Sequence, residues 1–209
     1  MSINDVIWEC LDEAVHRFNK SDDRRTLLCA RDKEAEPNVP GWGAANETAV
    51  AHRLGYYLER ALRRRKQVCD SGPVVVDCEY NRHLYGTKKL QAEKEFQSIV
   101  EEAQRKPVPV DGGGEDFTFV VRPDLIVHER QTDANYLAVE IKKRTSTQQR
   151  AWEEKYDDLK LKLFTRPKPK GYGYLFGAWV VVEDDRDADA RELRIISQYQ
   201  NGDGKVLAA

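Results

Sequence analysis

Residues 122–143 read RPDLIVHERQTDANYLAVEIKK, and this segment is the most informative part of the chain. Its two apolar runs, LIV and LAV, flank the segment QTDAN, which is rich in turn-forming residues. Strand-like runs on either side of such a turn predict a β-hairpin with its midpoint at Thr132. The hairpin matters for function because it determines which charged residues meet at its open end.

Three charged side chains are predicted to meet there. With the midpoint at Thr132, Asp124 lies opposite or nearly opposite Glu140, with side chains about 5 Å apart. Lys142 points to the same face as Glu140, because it is two residues further along the strand. Opposed like charges destabilise a sheet unless something binds between them, and a metal ion is the simplest candidate. The alternative is an exposed sheet face that carries charge.

These residues belong to a longer set with a family resemblance. The set comprises Asn46-Glu47, Glu79-Tyr80-Asn81-Arg82, Arg122 through His128, Val139 through Lys143, and Asp157 through Leu161. With it the chain resembles the PD-(D/E)XK nuclease superfamily, the restriction-endonuclease-like fold, and within it a bacterial group of such domains. The resemblance implies an α/β fold with an α-β-β-β-α-β core, in which a central mixed sheet is flanked by helices.

The resemblance also implies a site and an activity. Asp124 and Glu140 would bind Mg²⁺, or Mn²⁺ as a substitute, together with the backbone carbonyl of Ile141, since hard oxygen ligands suit these ions. Lys142 would orient or help to deprotonate the water that attacks a phosphodiester. Glu47 matches a position where family members often carry a further catalytic carboxylate. The alternative for Glu47 is an acidic residue favoured in a first helical turn by the helix dipole.

Three more residues have two interpretations each. Glu79 is either a further metal ligand or an ion-pair partner of Arg82. Asp157 and Lys160 lie on the helix after Lys142, where related nucleases carry a polar residue that faces the site. The alternative for these two is a solvated helix surface with pairing between residues three apart.

Basic residues surround the predicted site, although the formal net charge of the chain is −2. Between residues 140 and 170, ten Lys and Arg stand against five Asp and Glu, which favours contact with a phosphate backbone. Tyr172 and Tyr174 either stack on unpaired bases or pack before the next strand. The basic cluster at 63–66 is either a second contact or a solvated face. The candidate nucleic-acid contacts are Lys143, Arg144, Lys160, Arg166, Lys168 and Lys170.

The composition is that of a globular protein. A chain of 209 residues, 40% hydrophobic, is long enough for a full core. No apolar run approaches the ~20 residues that span a membrane, and the N-terminus lacks a signal-peptide layout, so we expect a cytoplasmic location and no membrane partner. The four cysteines show no zinc-ligand spacing and are interpreted as buried reduced thiols.

Two functional hypotheses follow. The first is a Mg²⁺-dependent nuclease that acts on nucleic acid, most often DNA, in restriction or phage defence, with a homodimer or larger complex for double-strand cutting. The second is a non-catalytic nuclease-fold module that binds nucleic acid or a partner protein.

The sequence pattern divides the chain into an N-terminal helix and loop, 1–45, packed on a nuclease-like domain, 46–209, with an insertion at 83–116. Helices are predicted at 3–20, 47–66, 89–105 and from Ser146 or Thr147 through Phe164. Strands are predicted at 74–80, 117–128, 136–143, 175–182 and 191–199.

Overall fold

A mixed six-stranded β-sheet forms the centre of the molecule in a computed structural model of the chain. The structure describes residues 3–28, 47–65, 74–79, 82–83, 86–87, 89–104, 116–143, 151–184 and 191–207. The helices are α1 (Ile3–Asn19), α2 (Asp22–Leu28), α3 (Glu47–Leu62), α4 (Gln97–Gln104) and α5 (Ala151–Thr165), with a 3-10 turn at Lys94–Phe96. The strands are β1 (Val74–Cys78), β2 (Arg82–His83), β3 (Gly86–Thr87), β4 (Lys89–Glu93), β5 (Asp116–Val120), β6 (Leu125–Glu129), β7 (Asn135–Lys143), β8 (Phe176–Asp184), β9 (Arg191–Gln200) and β10 (Asp203–Val206).

The strand order in the central sheet is β1-β6-β7-β8-β9-β10. Strands β1, β6 and β7 are antiparallel neighbours, whereas β8 lies parallel to β7. Parallel neighbours need a crossover connection, and α5 lies within the one between β7 and β8. The prediction of an α/β fold with a mixed sheet flanked by helices is confirmed.

Alternation along β7 separates two buried clusters, one on each face of the sheet. Ile141 belongs to the cluster that includes α1 and α3, whereas Ala138 belongs to the cluster that includes α5. Because side chains alternate along a strand, Glu140 and Lys142 share the α5 face with Ala138. Glu140 and Lys142 therefore face helix α5.

The helix predicted at 89–105 is wrong over its first five residues, which form strand β4. Leu90 and Ala92 are buried there while Lys89 and Gln91 are exposed, the period-two pattern of a strand. The helix forms only at α4. Strand β4 pairs with β5, a partner that is distant in sequence, and this tertiary contact overrides the local helical tendency.

The single strand predicted at 117–128 is also wrong, because β5 and β6 belong to different sheets. The interruption at 121–124 contains Pro123, which has no N–H to donate to a strand ladder. Strand β5 pairs with β4 in a separate two-stranded sheet, and β6 is the first strand of the hairpin that carries the predicted site.

Strand β10 is absent from the predictions. It pairs with β9 through a turn at Asn201 and Gly202, whose φ angles of 55° and 88° lie in the left-handed region. Asn-Gly is the strongest short hairpin signal in a sequence, because both residues tolerate positive φ.

Most other predicted elements are confirmed with shifted ends. The helix predicted at 47–66 ends at Leu62, and the predicted caps Ser146 and Thr147 lie outside the described residues. Helix α1 contributes to the same buried cluster as α3. In the predicted insertion, β4 and α4 pack against α5. Within the described ranges no helix has the length and apolar character needed to cross a membrane.

The basic cluster at 63–66 lies between helices, as far as the structure describes it. Arg64 lies 2.6 Å and Arg65 3.5 Å from Glu13 of α1. Arg63 pairs with Glu59 in its own segment, at 2.6 Å. Because Arg63, Arg64 and Arg65 are partly exposed and already paired, these ion pairs favour the solvated face over a nucleic-acid contact.

Replacing Asp77 by asparagine should lower the free energy of unfolding at neutral pH. Burial acts to raise the pKa of the Asp77 carboxyl, but hydrogen bonds from His128 and Arg130 outweigh it and hold that pKa at about 2. A depressed carboxyl pKa stabilises the fold above about pH 4, and this contribution disappears as pH falls through 2. We expect Asp77→Asn to lose about 2 kcal/mol at pH 7.

Urea unfolding of both proteins at pH 7 and at stepwise lower pH measures this loss. The difference between wild type and variant should narrow as the pH falls. The control is Asp203→Asn, which changes an exposed aspartate of β10. Equal stability of wild type and Asp77→Asn at pH 7 would contradict the prediction.

Candidate active site

The β6–β7 hairpin brings Asp124 and Glu140 to one end of the sheet. Leu125 of β6 pairs with Val139 of β7, so the two acidic residues are the next positions on either side of this pair. The Asp124 carboxylate also contacts the partner strand, since its Oδ2 accepts a hydrogen bond of 2.7 Å from the Ile141 N–H. The predicted register, with its midpoint at Thr132, is confirmed for Leu125 to Val127 and shifts by one residue at His128, next to the turn.

Ion pairs link five side chains of opposite sign into an alternating chain. Lys160 Nζ lies 2.6 Å from Glu140 Oε2 and 2.8 Å from Asp157 Oδ1. Lys142 Nζ lies 3.3 Å from Asp157 Oδ2 and 3.6 Å from Glu47 Oε2. We call these residues, with the adjacent Asp124, the charged cluster: Asp124, Glu140, Lys142, Asp157, Lys160 and Glu47.

One side of the charged cluster is buried and the other reaches water. The side chains of Glu140 and Asp157 are each 2% exposed and that of Lys160 is 8% exposed, whereas Lys142 is 24% and Glu47 32% exposed. Buried charges are stable only when they are paired or hold a metal ion. Access from solvent to the cluster is therefore on the side of Lys142 and Glu47.

Burial is the largest cause of the raised pKa values of the two acidic residues at the end of the hairpin. Burial, with lesser contributions from neighbouring carboxylates, raises the pKa of Asp124 to about 6. Burial likewise raises the pKa of Glu140 well above its ordinary value. For Lys142 and Lys160, burial lowers the pKa, but the carboxylates around them outweigh it and the net shift is upward. Both lysines are thus held as ammonium ions, and the carboxylates favour a bound cation.

One carboxylate oxygen in the cluster is available for a ligand. Glu140 Oε1 is buried and has no hydrogen-bond partner among the described residues. A buried acceptor without a partner costs free energy, and a bound cation removes that cost. The described residues contain no group of three His, Cys, Asp or Glu able to hold a metal. Mg²⁺ commonly binds only one or two protein carboxylates, and water and substrate oxygens complete its coordination shell. The carboxylates of Asp124 and Glu140 match this number of protein ligands.

Glu79 lies beside the site. Its backbone N–H donates to the Asp124 carbonyl at 3.0 Å, and its own φ of 50° is in the left-handed region. The Thr48 hydroxyl donates to Glu79 Oε1 at 2.7 Å, and Arg122 lies 3.7 Å from Oε2. The ion-pair interpretation thus has a partner in Arg122, while the side chain of Arg82 is outside the described residues.

Asp157 and Lys160 face the site, in agreement with the first of their two interpretations, because the Lys160 ammonium pairs with Glu140 and Asp157. The buried position of Lys160 does not fit its other predicted role as a contact to nucleic acid. The side chain of Lys143 and the whole of Arg144, two further predicted contacts, lie outside the described residues.

The remaining predicted basic contacts lie near the turn of the hairpin, toward the opposite end of β7. Arg166 pairs with Glu93 at 2.8 Å, and Lys168 pairs with Asp133 at 2.8 Å. Lys168 and Lys170 line a cavity of ≈ 430 Å³. These side chains do not meet the charged cluster.

The two tyrosines near this cavity support the packing interpretation. The Tyr172 hydroxyl accepts a hydrogen bond from the Lys89 N–H at 2.7 Å and donates to the Lys89 carbonyl at 3.0 Å. Tyr174 is 1% exposed and packs edge-on against Phe164.

No family model, curated protein or solved structure matches this chain.

Proposed function

We propose that the chain is a Mg²⁺-dependent nuclease that hydrolyses phosphodiester bonds, foremost in DNA. The observation that carries the proposal is the meeting of Asp124 and Glu140, with Lys142 on the same face and a buried oxygen of Glu140 left without a partner. The order of α3, the antiparallel β1, β6 and β7, α5 and the parallel β8 agrees with the α-β-β-β-α-β core that the resemblance implies.

In this mechanism Asp124 and Glu140 hold the metal ion, and the Ile141 carbonyl is proposed as a further ligand. A bound Mg²⁺ supplies Lewis-acid polarisation of the phosphoryl oxygen and a lowered pKa for its water. Lys142 orients the attacking water and balances the charge that develops on the phosphoryl group. Glu47 and Asp157 hold the Lys142 ammonium from two sides.

A non-catalytic module that binds nucleic acid or a protein is the second candidate, and one observation favours it. The ammonium of Lys160 already neutralises Glu140, so the cluster is partly satisfied without any metal. A fully satisfied charge cluster can serve structure alone. The two candidates differ in whether the chain cuts.

The test is cleavage of plasmid DNA, single-stranded DNA and RNA with Mg²⁺ or Mn²⁺ by wild type and Glu140→Gln, purified identically. We expect metal-dependent cutting by the wild type and loss of at least about 100-fold in the variant, because a metal-binding carboxylate is removed. Glu154→Gln, which changes an exposed glutamate on α5, is the matched control and should cut like wild type. Absence of cutting by the wild type on DNA and on RNA would favour the binding module.

In the cell we expect this activity to serve restriction or phage defence in the cytoplasm. The free thiols Cys10 and Cys78 agree with a reducing compartment. For double-strand cutting we propose a homodimer or a larger complex, which would supply a second active site. Light scattering that finds a strict monomer with and without DNA would remove the homodimer.

A further inference from the structure

The ammonium of Lys160 is held in a fixed place within the charged cluster. It lies 2.6 Å from Glu140 Oε2 and 2.8 Å from Asp157 Oδ1. The ring of Tyr156 covers it from another side, with 5.0 Å between Nζ and the ring centroid. Lys160 therefore has three partners and little freedom to move away from Glu140.

This position is the one that a second metal ion would need. In two-metal hydrolytic sites the ions lie roughly 3.5–4 Å apart and share carboxylate ligands. Around Glu140, a second ion would take Oε2 together with a carboxylate oxygen of Asp157. Glu140 Oε2 and Asp157 Oδ1 are the partners of Lys160, and Asp157 Oδ2 lies 3.3 Å from Lys142 Nζ, while Glu140 Oε1 has no hydrogen-bond partner among the described residues.

The charge balance points the same way. The charged cluster holds four acidic residues and two lysines, so the fully ionised cluster carries two more negative than positive charges. One divalent cation neutralises that excess. A second divalent cation would give the buried cluster a net positive charge, which is costly at low dielectric.

We propose that Lys160 is a fixed counter-cation that fills the second-cation position beside Glu140 and restricts the site to a single divalent ion. The inference rests on the proposed function for the identity of the site as a metal centre. Lys160 is thus a positioning residue: it binds Glu140 and Asp157, and it leaves Glu140 Oε1 and Asp124 to hold the ion.

The experiment counts Mn²⁺ ions bound per full-length chain, by calorimetry and by electron paramagnetic resonance. We expect one ion in the wild type and two in Lys160→Met, which removes the ammonium while keeping an unbranched side chain. Lys160→Arg keeps the charge and should bind one. Lys142→Met removes one positive charge elsewhere in the cluster and should also bind one, so it controls for a general change in charge.

Each result is decisive. Two ions in the wild type, one ion in Lys160→Met, or a second ion in Lys142→Met as well would overturn the inference. If Lys160→Met does not fold, the wild-type count still decides: one ion supports the inference and two overturn it. Cutting of DNA is measured separately. The expected ion counts without cutting would mean that only the proposed function fails, and cutting with two ions would mean that only the inference fails.

Discussion

Replacing Lys142 by methionine should lower the turnover of metal-dependent cleavage by about 1,000-fold and leave Mn²⁺ binding in place. Methionine is unbranched like lysine and one atom shorter, and it lacks both the positive charge and the N–H donors. The loss should appear in kcat rather than in KM, because an interaction that forms with the developing phosphoryl charge acts in the transition state.

The electrostatics of Lys142 give the reason. Burial lowers its pKa, but Asp157 and Glu47 outweigh burial and the net shift is upward. An ammonium cannot accept a proton from water, so Lys142 contributes as a fixed positive charge and hydrogen-bond donor. We therefore expect Lys142→Arg to keep part of the activity that Lys142→Met loses.

Single-turnover and steady-state cleavage of one DNA substrate by the three proteins measures this difference. Lys162→Met is the matched control: it changes a lysine of α5 that is 42% exposed and pairs with Asp158. Its activity should equal that of the wild type. Full activity in Lys142→Met would remove Lys142 from the mechanism.

The sequence was most informative where structure is local. The hairpin register followed from a turn and two flanking apolar runs, and the observed pairing of Leu125 with Val139 agrees with it. The same register predicts that Asp124, Glu140 and Lys142 lie close together. Side-chain alternation in a strand has a fixed period, so these relations follow from position alone.

Relations between distant segments were not accessible in the same way. Strand β4 pairs with β5 across a long stretch of chain, and no periodicity in residues 89–93 identifies that partner. The helix predicted at 89–105 rests on the charged, helix-like character of the whole segment. The error therefore concerned tertiary pairing, which local propensity does not encode.

The buried residues of the charged cluster on α5 could be predicted only in part. The sequence places Asp157 and Lys160 either on a solvated helix surface or at a position that faces the site. Their spacing with Phe164 contained a signal, because residues three and four apart share one face of a helix and Phe164 is fully buried on α5. That Lys160 would pair with Glu140 depends on how α5 packs against β7, which only the structure supplies.

Replacing Asp124 by asparagine should stabilise the metal-free fold while it abolishes metal binding and cleavage. We expect a gain of about 1–2 kcal/mol at neutral pH, after allowance for the partial exposure of Asp124 to water. The asparagine side-chain oxygen can still accept the hydrogen bond from the Ile141 N–H, so the local geometry is kept. Effects of opposite sign on stability and function are typical of a functional residue.

The sign follows from the carboxyl pKa. Burial raises the pKa of Asp124 from 3.8 to about 6, so ionisation is harder in the folded chain than in the unfolded one. Such a group favours folding at acid pH, and its contribution is lost as pH rises through about 6. Asparagine has no charge to bury and takes one negative charge away from Glu140 and Asp157.

Urea unfolding in the presence of EDTA, at pH 5 and pH 7.5, measures the gain, which should be larger at the higher pH. Adding Mn²⁺ should stabilise the wild type and leave Asp124→Asn unchanged, because only the wild type retains the metal-binding carboxylate. Asp133→Asn, at the exposed turn of the same hairpin, is the control and should respond to Mn²⁺ like the wild type. If metal-free Asp124→Asn were less stable than wild type at pH 7.5, the Asp124 carboxylate would stabilise the fold. That result would contradict the prediction and remove the energetic argument that Asp124 is a metal ligand.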